Sequence, residues 1–283
     1  MFDTDNGNAQ RTGTIRIRPV RGLLDLELRA VWEYRELLYF VIWREIKIRY
    51  RQAALGVAWA IIQPIFAVVV FTVIFGHFAR FPSDGVPYAV FSFAAILPWT
   101  YFAEALQRSS DGLITDSDLV RKVYFPRLII PLAMVTAPLV DFFFSFLIFL
   151  AVLAWYDIPI TLNLLFLPPL LLIAMTLGLA VGLLLGPINV RFRDVKHTLP
   201  FLVQIWMYAS PIVYPLSMVP EEWRWLYSLN PMVGVIEGFR WALLGKEQPD
   251  FTAMMISGVV IAMALFLGLI FFKKHERSFA DII

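Results

Sequence analysis

Residues 164–188 read LLFLPPLLLIAMTLGLAVGLLLGPI. The stretch has no ionisable side chain. It exceeds the about 20 apolar residues that a helix needs to cross about 30 Å of hydrocarbon. Gly178, Gly182 and Gly186 recur at a spacing of four and share one helix face. In lipid, such a row of small residues lets a second helix approach closely. The stretch is therefore read as a membrane span with one face shaped for a neighbour.

Five more apolar stretches flank it. Residues 55–75 are interrupted only by Gln63-Pro64, and 88–106 carry Pro98 inside and Glu104 near the end. Residues 128–155 are long enough to tilt or to project beyond the hydrocarbon. Residues 199–214 are shorter and end among Pro211 and Pro215, and 251–272 stop at Lys273-Lys274. The composition agrees: 59% of the 283 residues are hydrophobic and 16% charged, against about 45–50% and about 25% in soluble domains. Mean hydropathy is +0.71. The expected fold is an all-α membrane protein of about six transmembrane helices. No internal repeat is evident. There is no cysteine, which excludes disulfides, thiolate metal sites and cysteine nucleophiles.

Residues 1–22 are polar, broken by Pro19, and expected to be a disordered cytoplasmic tail; they lack the apolar core of a cleaved signal peptide. Residues 23–54 read as an amphipathic interface helix region, and 55–283 as the transmembrane domain. On that helix Leu38, Tyr39, Ile42, Trp43, Ile46 and Tyr50 fall on one arc, with Arg44, Lys47 and Arg51 opposite. Arg49 interrupts the apolar arc unless its head snorkels to lipid phosphates. A basic amphipathic helix before a span is expected to lie in the membrane interface; the plainer alternative is a soluble helix packed on a partner.

Loop charge sets the orientation. With the N-terminus inside, Arg121, Lys122, Arg127, Arg191, Arg193, Lys196, Lys273, Lys274 and Arg277 are all cytoplasmic, and only Arg80, Arg224, Arg240 and Lys246 are external. This follows the positive-inside rule and places both termini in the cytoplasm of an inner-membrane, multi-pass protein.

Three segments between spans are candidates for function. After span two, Asp116, Ser117 or Asp118 can cap a helix starting near Leu119, and Pro126 stops it. Leu119, Val120, Arg121, Val123, Tyr124 and Phe125 would then form a short cytoplasmic helix able to plug into a groove on a soluble partner. The Asp116-x-Asp118 pair also matches metal-dependent glycosyltransferases, but capping explains it without a metal, and no metal site is expected. After span four, Arg191, Arg193 and Asp194 are read either as a cytoplasmic gate or as a plain charged stop.

The third segment, 215–250, is too long for a plain loop and too apolar for a solvated one. Residues 221–227 form an amphipathic turn. Asn230 then caps a helix with Pro231 first, and Gly245 follows its end. At about 21 Å this helix cannot cross the hydrocarbon. It is read as part of a pair of short external re-entrant helices between spans five and six, carrying Trp223, Trp225, Tyr227, Glu237, Arg240 and Trp241 at the mouth of a pore; the alternative is a peripheral helix on the lipid surface. Glu237 and Arg240 can pair. Most aromatics near span ends read as interfacial belts, and a minority could stack on sugar rings. Inside the spans, Asp141 is a candidate functional acid or a hydrogen-bonding partner for a neighbouring span, and Glu104 and Arg108 are spaced to pair.

Several devices are missing. There is no G-x-x-x-x-G-K-[ST] loop, no H-E-x-x-H and no G-x-S-x-G. No catalytic residue is expected, and no nucleic-acid partner.

The chain resembles the transmembrane subunits of type-2 ABC exporters for polysaccharides, the O-antigen and teichoic-acid group. The matching stretches are RYRQAALGVAW at 49–59 with Gln63-Pro64, NVRFRDV at 189–195, and SPIVY at 210–214 followed by Asn230-Pro231. The likeness runs from about Leu37 onward. It implies a homodimeric channel powered by two nucleotide-binding subunits, which hold ATP and Mg, with no cofactor in this chain. It implies that the interface helix and the 119–125 helix dock on those subunits, that the external helices line the exit, and that a lipid-linked glycan is carried. Arg44, Lys47 and Arg51 would attract its pyrophosphate. Capsule polysaccharide, teichoic acid or a small lipid or drug are alternative cargoes. A polyprenyl-sugar transferase or an assembly scaffold are alternative classes.

Overall fold

A computed structural model describes residues 28–51, 57–245 and 251–282. The expected tail at 1–22, part of the first matching stretch at 52–56, and Lys246 lie outside the described residues.

The described chain is all α-helical, in the order α1 (Leu28–Glu33), α2 (Arg35–Arg51), α3 (Val57–Phe71), α4 (Tyr88–Thr115), α5 (Ser117–Lys122), α6 (Ile129–Thr136), α7 (Leu139–Trp155), α8 (Leu167–Arg191), α9 (Val195–Tyr208), α10 (Glu221–Tyr227), α11 (Pro231–Leu244), α12 (Phe251–His275) and α13 (Phe279–Ile282). Among the described residues four stretches are long and apolar enough to cross a membrane: α4, α6 with α7, α8 with its leading turn, and α12. The first expected span is α3 continued by a wider π-helical segment, Thr72–Phe78. The fifth needs correction. It is α9, 14 residues long, and ends at Tyr208 rather than 214. The chain turns at Ser210–Pro215 instead, where Pro211 and Pro215 lack the N–H that a helix would use.

α4 is the central post and is buried along most of its length. α8 lies against it through the glycine row. A Cβ on Gly178 would stand 3.1 Å from that of Ala105, and one on Gly182 would stand 2.5 Å from the Cβ of Ser109. The row thus sets how closely the two helices approach.

Span three is broken. α6 ends at Thr136 and α7 begins after Pro138, which cannot donate to the preceding turn. The carbonyl of Val135 beside the break accepts the buried hydroxyl of Tyr101 at 2.8 Å. Backbone polar groups in hydrocarbon must find such partners inside the protein.

α11 begins as expected and is enclosed by α4, α8 and α12. The Asn230 side chain accepts the N–H of Met232 at 3.1 Å, and Ser257 of α12 accepts that of Gly234 at 3.1 Å. Gly245 closes the helix at φ 65°, a left-handed backbone that glycine adopts without strain. Residues 231–236 are buried without exception, so α11 is an internal helix and not one lying on the lipid surface.

Candidate functional site

α2 is mounted on the bundle by charge. Its protein-facing row is Leu37, Leu38, Val41 and Glu45, continued by Tyr34 just before it, while Tyr39 and Trp43, expected on the apolar arc, are exposed. Arg44 corrects the expected polar face. Its guanidinium touches both carboxylate oxygens of Asp116 and reaches Glu45 at 3.0 Å. Asp116 is buried between α4 and α5, and its side chain makes no cap.

The charges continue as an alternating row. Arg108 of α4 approaches Glu45 at 3.6 Å and holds Glu104 at 2.8 Å. Arg49 forks onto Glu104 and stands 3.1 Å from Asp141 of α7. Tyr50 donates its hydroxyl to Asp141. Asp116, Arg44, Glu45, Arg108, Glu104, Arg49 and Asp141 thus form one chain of acid and base in turn. In a medium of low dielectric such charges persist only when paired and hydrogen-bonded. The Glu104–Arg108 pair and a partner for Asp141 were expected; Arg49 pairs with acids rather than reaching for phosphate. The row escapes hydrophobic-arc reading because its charges lie on the buried face. The acids that Arg44 and Arg49 meet on α4, α5 and α7 sit at least 55 residues away.

Beside this row lies a cleft of about 680 Å³. Glu45 and Arg49 of α2, Gln63 of α3, Trp99, Glu104, Gln107, Arg108 and Asp111 of α4, Asp141 of α7 and Met207 of α9 contribute to its wall. Lys47 and Arg51 lie on the exposed side of α2, with the Lys47 ammonium 5.4 Å from the centre of the Trp43 ring. The basic triad read from the sequence therefore divides, with Arg44 engaged by acid and the other two outward.

α5 is shorter than expected. It ends at Lys122, and Val123–Phe125 run on non-helically because a residue before proline is driven away from helical backbone. Val120 and Phe125 are buried and Leu119 is half-buried. Arg121, Lys122, Val123 and Tyr124 are exposed, Tyr124 by 69%. A hydrogen bond from Lys122 holds the Asp118 carboxyl below its usual range.

In the turn between α8 and α9, Arg191 lies over the Phe192 ring at 5.3 Å, and Arg193 and Asp194 are exposed. The Asp194 carbonyl receives the N–H groups of His197 and Thr198, starting α9. Asn189, buried just before, donates to Asp111 at 2.7 Å and ties the turn to α4.

At the opposite end the expected cluster is also divided. Trp223 and Trp225 are exposed on α10. Tyr227 bonds Tyr214 at 2.9 Å. Trp206, Trp223, Leu226, Tyr227 and Asn230 contribute to a cup of about 460 Å³. Asn230 joins α9 to α11: it receives the Trp206 indole N–H at 2.8 Å and donates to the Ala209 carbonyl at 2.9 Å. Arg240 is 6% exposed, paired with Glu237 at 3.0 Å, and donates to the Ile212 carbonyl at 3.0 Å over the face of Phe91. Tyr88 donates to the neighbouring Val213 carbonyl at 2.7 Å. Trp241 packs on Phe166 and is not with the α10 aromatics. Among the described residues no group of three acids or histidines is placed to hold a metal ion.

Residues 36–244 match the family model described as ABC-2 type transporter. The chain is 30% identical over 258 residues to the O-antigen export system permease protein RfbA of Myxococcus xanthus, covering 90% of this chain and 98% of that one. It is 25% identical to the protein of the same name from Klebsiella pneumoniae, over 88% and 95% of the two chains. It is also 25% identical to the polysialic acid transport protein KpsM of Escherichia coli, over 83% and 92%.

Proposed function

This chain belongs to the ABC-2 type transporter family, and on that premise we propose that it is the channel-forming subunit of an exporter that moves a lipid-linked, O-antigen-like polysaccharide across the inner membrane. Two copies form the channel, and two separate nucleotide-binding subunits bind ATP with Mg and supply the energy. Catalysis resides in those subunits and not in this chain. Both termini and the basic turns are cytoplasmic, and α10 with α11 face outward.

The observation that carries this reading is the joint at Asp116. The helix that carries the exposed surface, α5, begins one residue after the acid that anchors α2 to α4. A soluble partner docking on Arg121–Tyr124 therefore moves α2 and the inner end of α4 together. The charged cleft between them then opens or narrows as ATP is bound and spent. Lys47 and Arg51, outward on α2, attract the pyrophosphate of the carrier lipid. Arg191, Arg193 and Asp194 gate the inner side, and the α10 aromatics offer ring faces to the emerging glycan.

The test is co-purification of the chain with its nucleotide-binding partner in lipid, followed by ATP hydrolysis with and without an undecaprenyl-diphosphate-linked glycan. Stimulation by the glycan is expected. Stimulation by a small lipid alone, or by neither, overturns the polysaccharide reading. The KpsM likeness makes a capsule polymer the second cargo to try in the same assay.

A further inference from the structure

The exposed surface at Arg121–Tyr124 has little structure of its own, because α5 is only 6 residues long and ends with the Val123 N–H on the Leu119 carbonyl at 3.2 Å, after which Tyr124 and Phe125 run on outside the helix. A helix this short is not stable by propensity and needs tertiary support. Its support comes from the other end of the chain.

After α12 a tight turn, Glu276–Ser278, leads into α13. Ser278 closes the turn by donating to the His275 carbonyl at 2.8 Å. A carboxylate oxygen of Glu276 accepts the main-chain N–H of Arg127 at 3.2 Å, and its other oxygen pairs with Lys273 at 2.9 Å. Arg127 in turn donates to the Val123 carbonyl at 3.2 Å and lays its guanidinium over the Phe125 ring at 5.1 Å. Phe279, 1% exposed, stands edge-on to Phe272 at 5.3 Å, in the apolar cluster that also buries Val120 and Phe125. Two links therefore run from the turn to the exposed surface: one polar, through Glu276 and Arg127, and one apolar, through Phe279.

We infer that the turn after α12 is a positioning element, in which Glu276 and Phe279 fix the 117–125 surface and couple it to the last span. This rests on the proposal that the surface meets a partner subunit, but the mount itself does not depend on that partner. Motion received at Tyr124 then reaches α12 as well as α2 and α4. An aromatic of the size of Phe279 fills the cluster, and leucine in its place retains the apolar link.

The experiment is amide hydrogen exchange on the purified full chain in lipid nanodiscs, comparing Phe279→Ala, Phe279→Leu and Glu276→Ala with the unaltered protein. Exchange at 117–125 is expected to quicken about tenfold in Phe279→Ala and Glu276→Ala, with α7 and α11 unchanged and Phe279→Leu near the unaltered rate. Unchanged exchange at 117–125, or an equal rise throughout the chain, overturns the inference. Binding of the nucleotide-binding subunit is then measured on the same samples. Loosened 117–125 with weakened binding supports both readings. Loosened 117–125 with full binding leaves the mount standing and removes the docking role of α5.

Discussion

Arg44 on α2 contacts both carboxylate oxygens of Asp116, the residue at which α4 gives way to α5. The two are 72 positions apart in sequence. Their pairing makes one body of the N-terminal helix and the start of the exposed α5 surface. A double-mutant cycle with Arg44→Ala and Asp116→Ala, read by thermal unfolding in detergent, should return a coupling of about 1–2 kcal/mol. That is below the about 3–5 kcal/mol of a fully buried pair, because Arg44 is more than a third exposed. A coupling near zero would mean that the contact adds nothing to the joint.

Asp141 accepts the Tyr50 hydroxyl and faces Arg49. Asp141→Asn keeps an acceptor for Tyr50 and should lower export several-fold. Asp141→Leu leaves Tyr50 and Arg49 with reduced partners and should destabilise the chain by about 2–3 kcal/mol. Surface display of glycan and detergent-phase melting separate the two effects; equal behaviour of the two variants would contradict the charge pairing.

Gly182→Ala should cripple folding, since its new Cβ would sit 2.5 Å from that of Ser109. Moving the glycine across the contact, in Ser109→Gly with Gly182→Ala, should restore most of the folded yield, because the helix propensity lost at 109 is offset by that gained at 182. Monodispersity on size-exclusion chromatography is the readout, and failure of the double variant would contradict the close approach.

Arg240→Lys retains charge but not the reach to both Glu237 and the Ile212 carbonyl. A buried charge left with poorer partners should cost about 2–4 kcal/mol. Limited proteolysis at the 210–215 turn should accelerate before the rest of the chain opens. A uniform loss of stability, with the turn still protected, would argue against a local clamp.

Lys47→Gln with Arg51→Gln removes two outward charges and touches no pair in the acid–base row. Export should fall several-fold while complex assembly stays unchanged, and the loss should be larger at low ionic strength, where long-range attraction is strongest. Unaltered export would remove these residues from the path of the carrier lipid.

Much of this architecture was legible beforehand for a simple reason. Long apolar stretches, the glycine row at 178–186 and the Asn230-Pro231…Gly245 bracket around α11 are local patterns, and lipid leaves a helix little alternative. What escaped was decided by distant partners. The inward turn of Arg44 and Arg49 depends on acids far along the chain, and the separation of Trp241 from Trp223 depends on Phe166. The short reach of α5 has a local signal in Pro126, which drives Phe125 away from helical backbone. The role of the turn after α12 had no signal, because Glu276 and Phe279 are ordinary residues until Arg127 and Phe272 stand beside them.

The order of charges along α2 and α4 also restricts how the two can move. Glu45 meets Arg108 and Arg49 meets Glu104, four residues apart on each helix. Sliding α2 by one turn, about 5.4 Å, brings Glu45 to Glu104 in one direction and Arg49 to Arg108 in the other. Each displacement sets like against like. Translation along the axis is thus blocked electrostatically, while a swing that carries both helices together is free. A load applied at the α5 end would turn the two helices together instead of sliding one along the other.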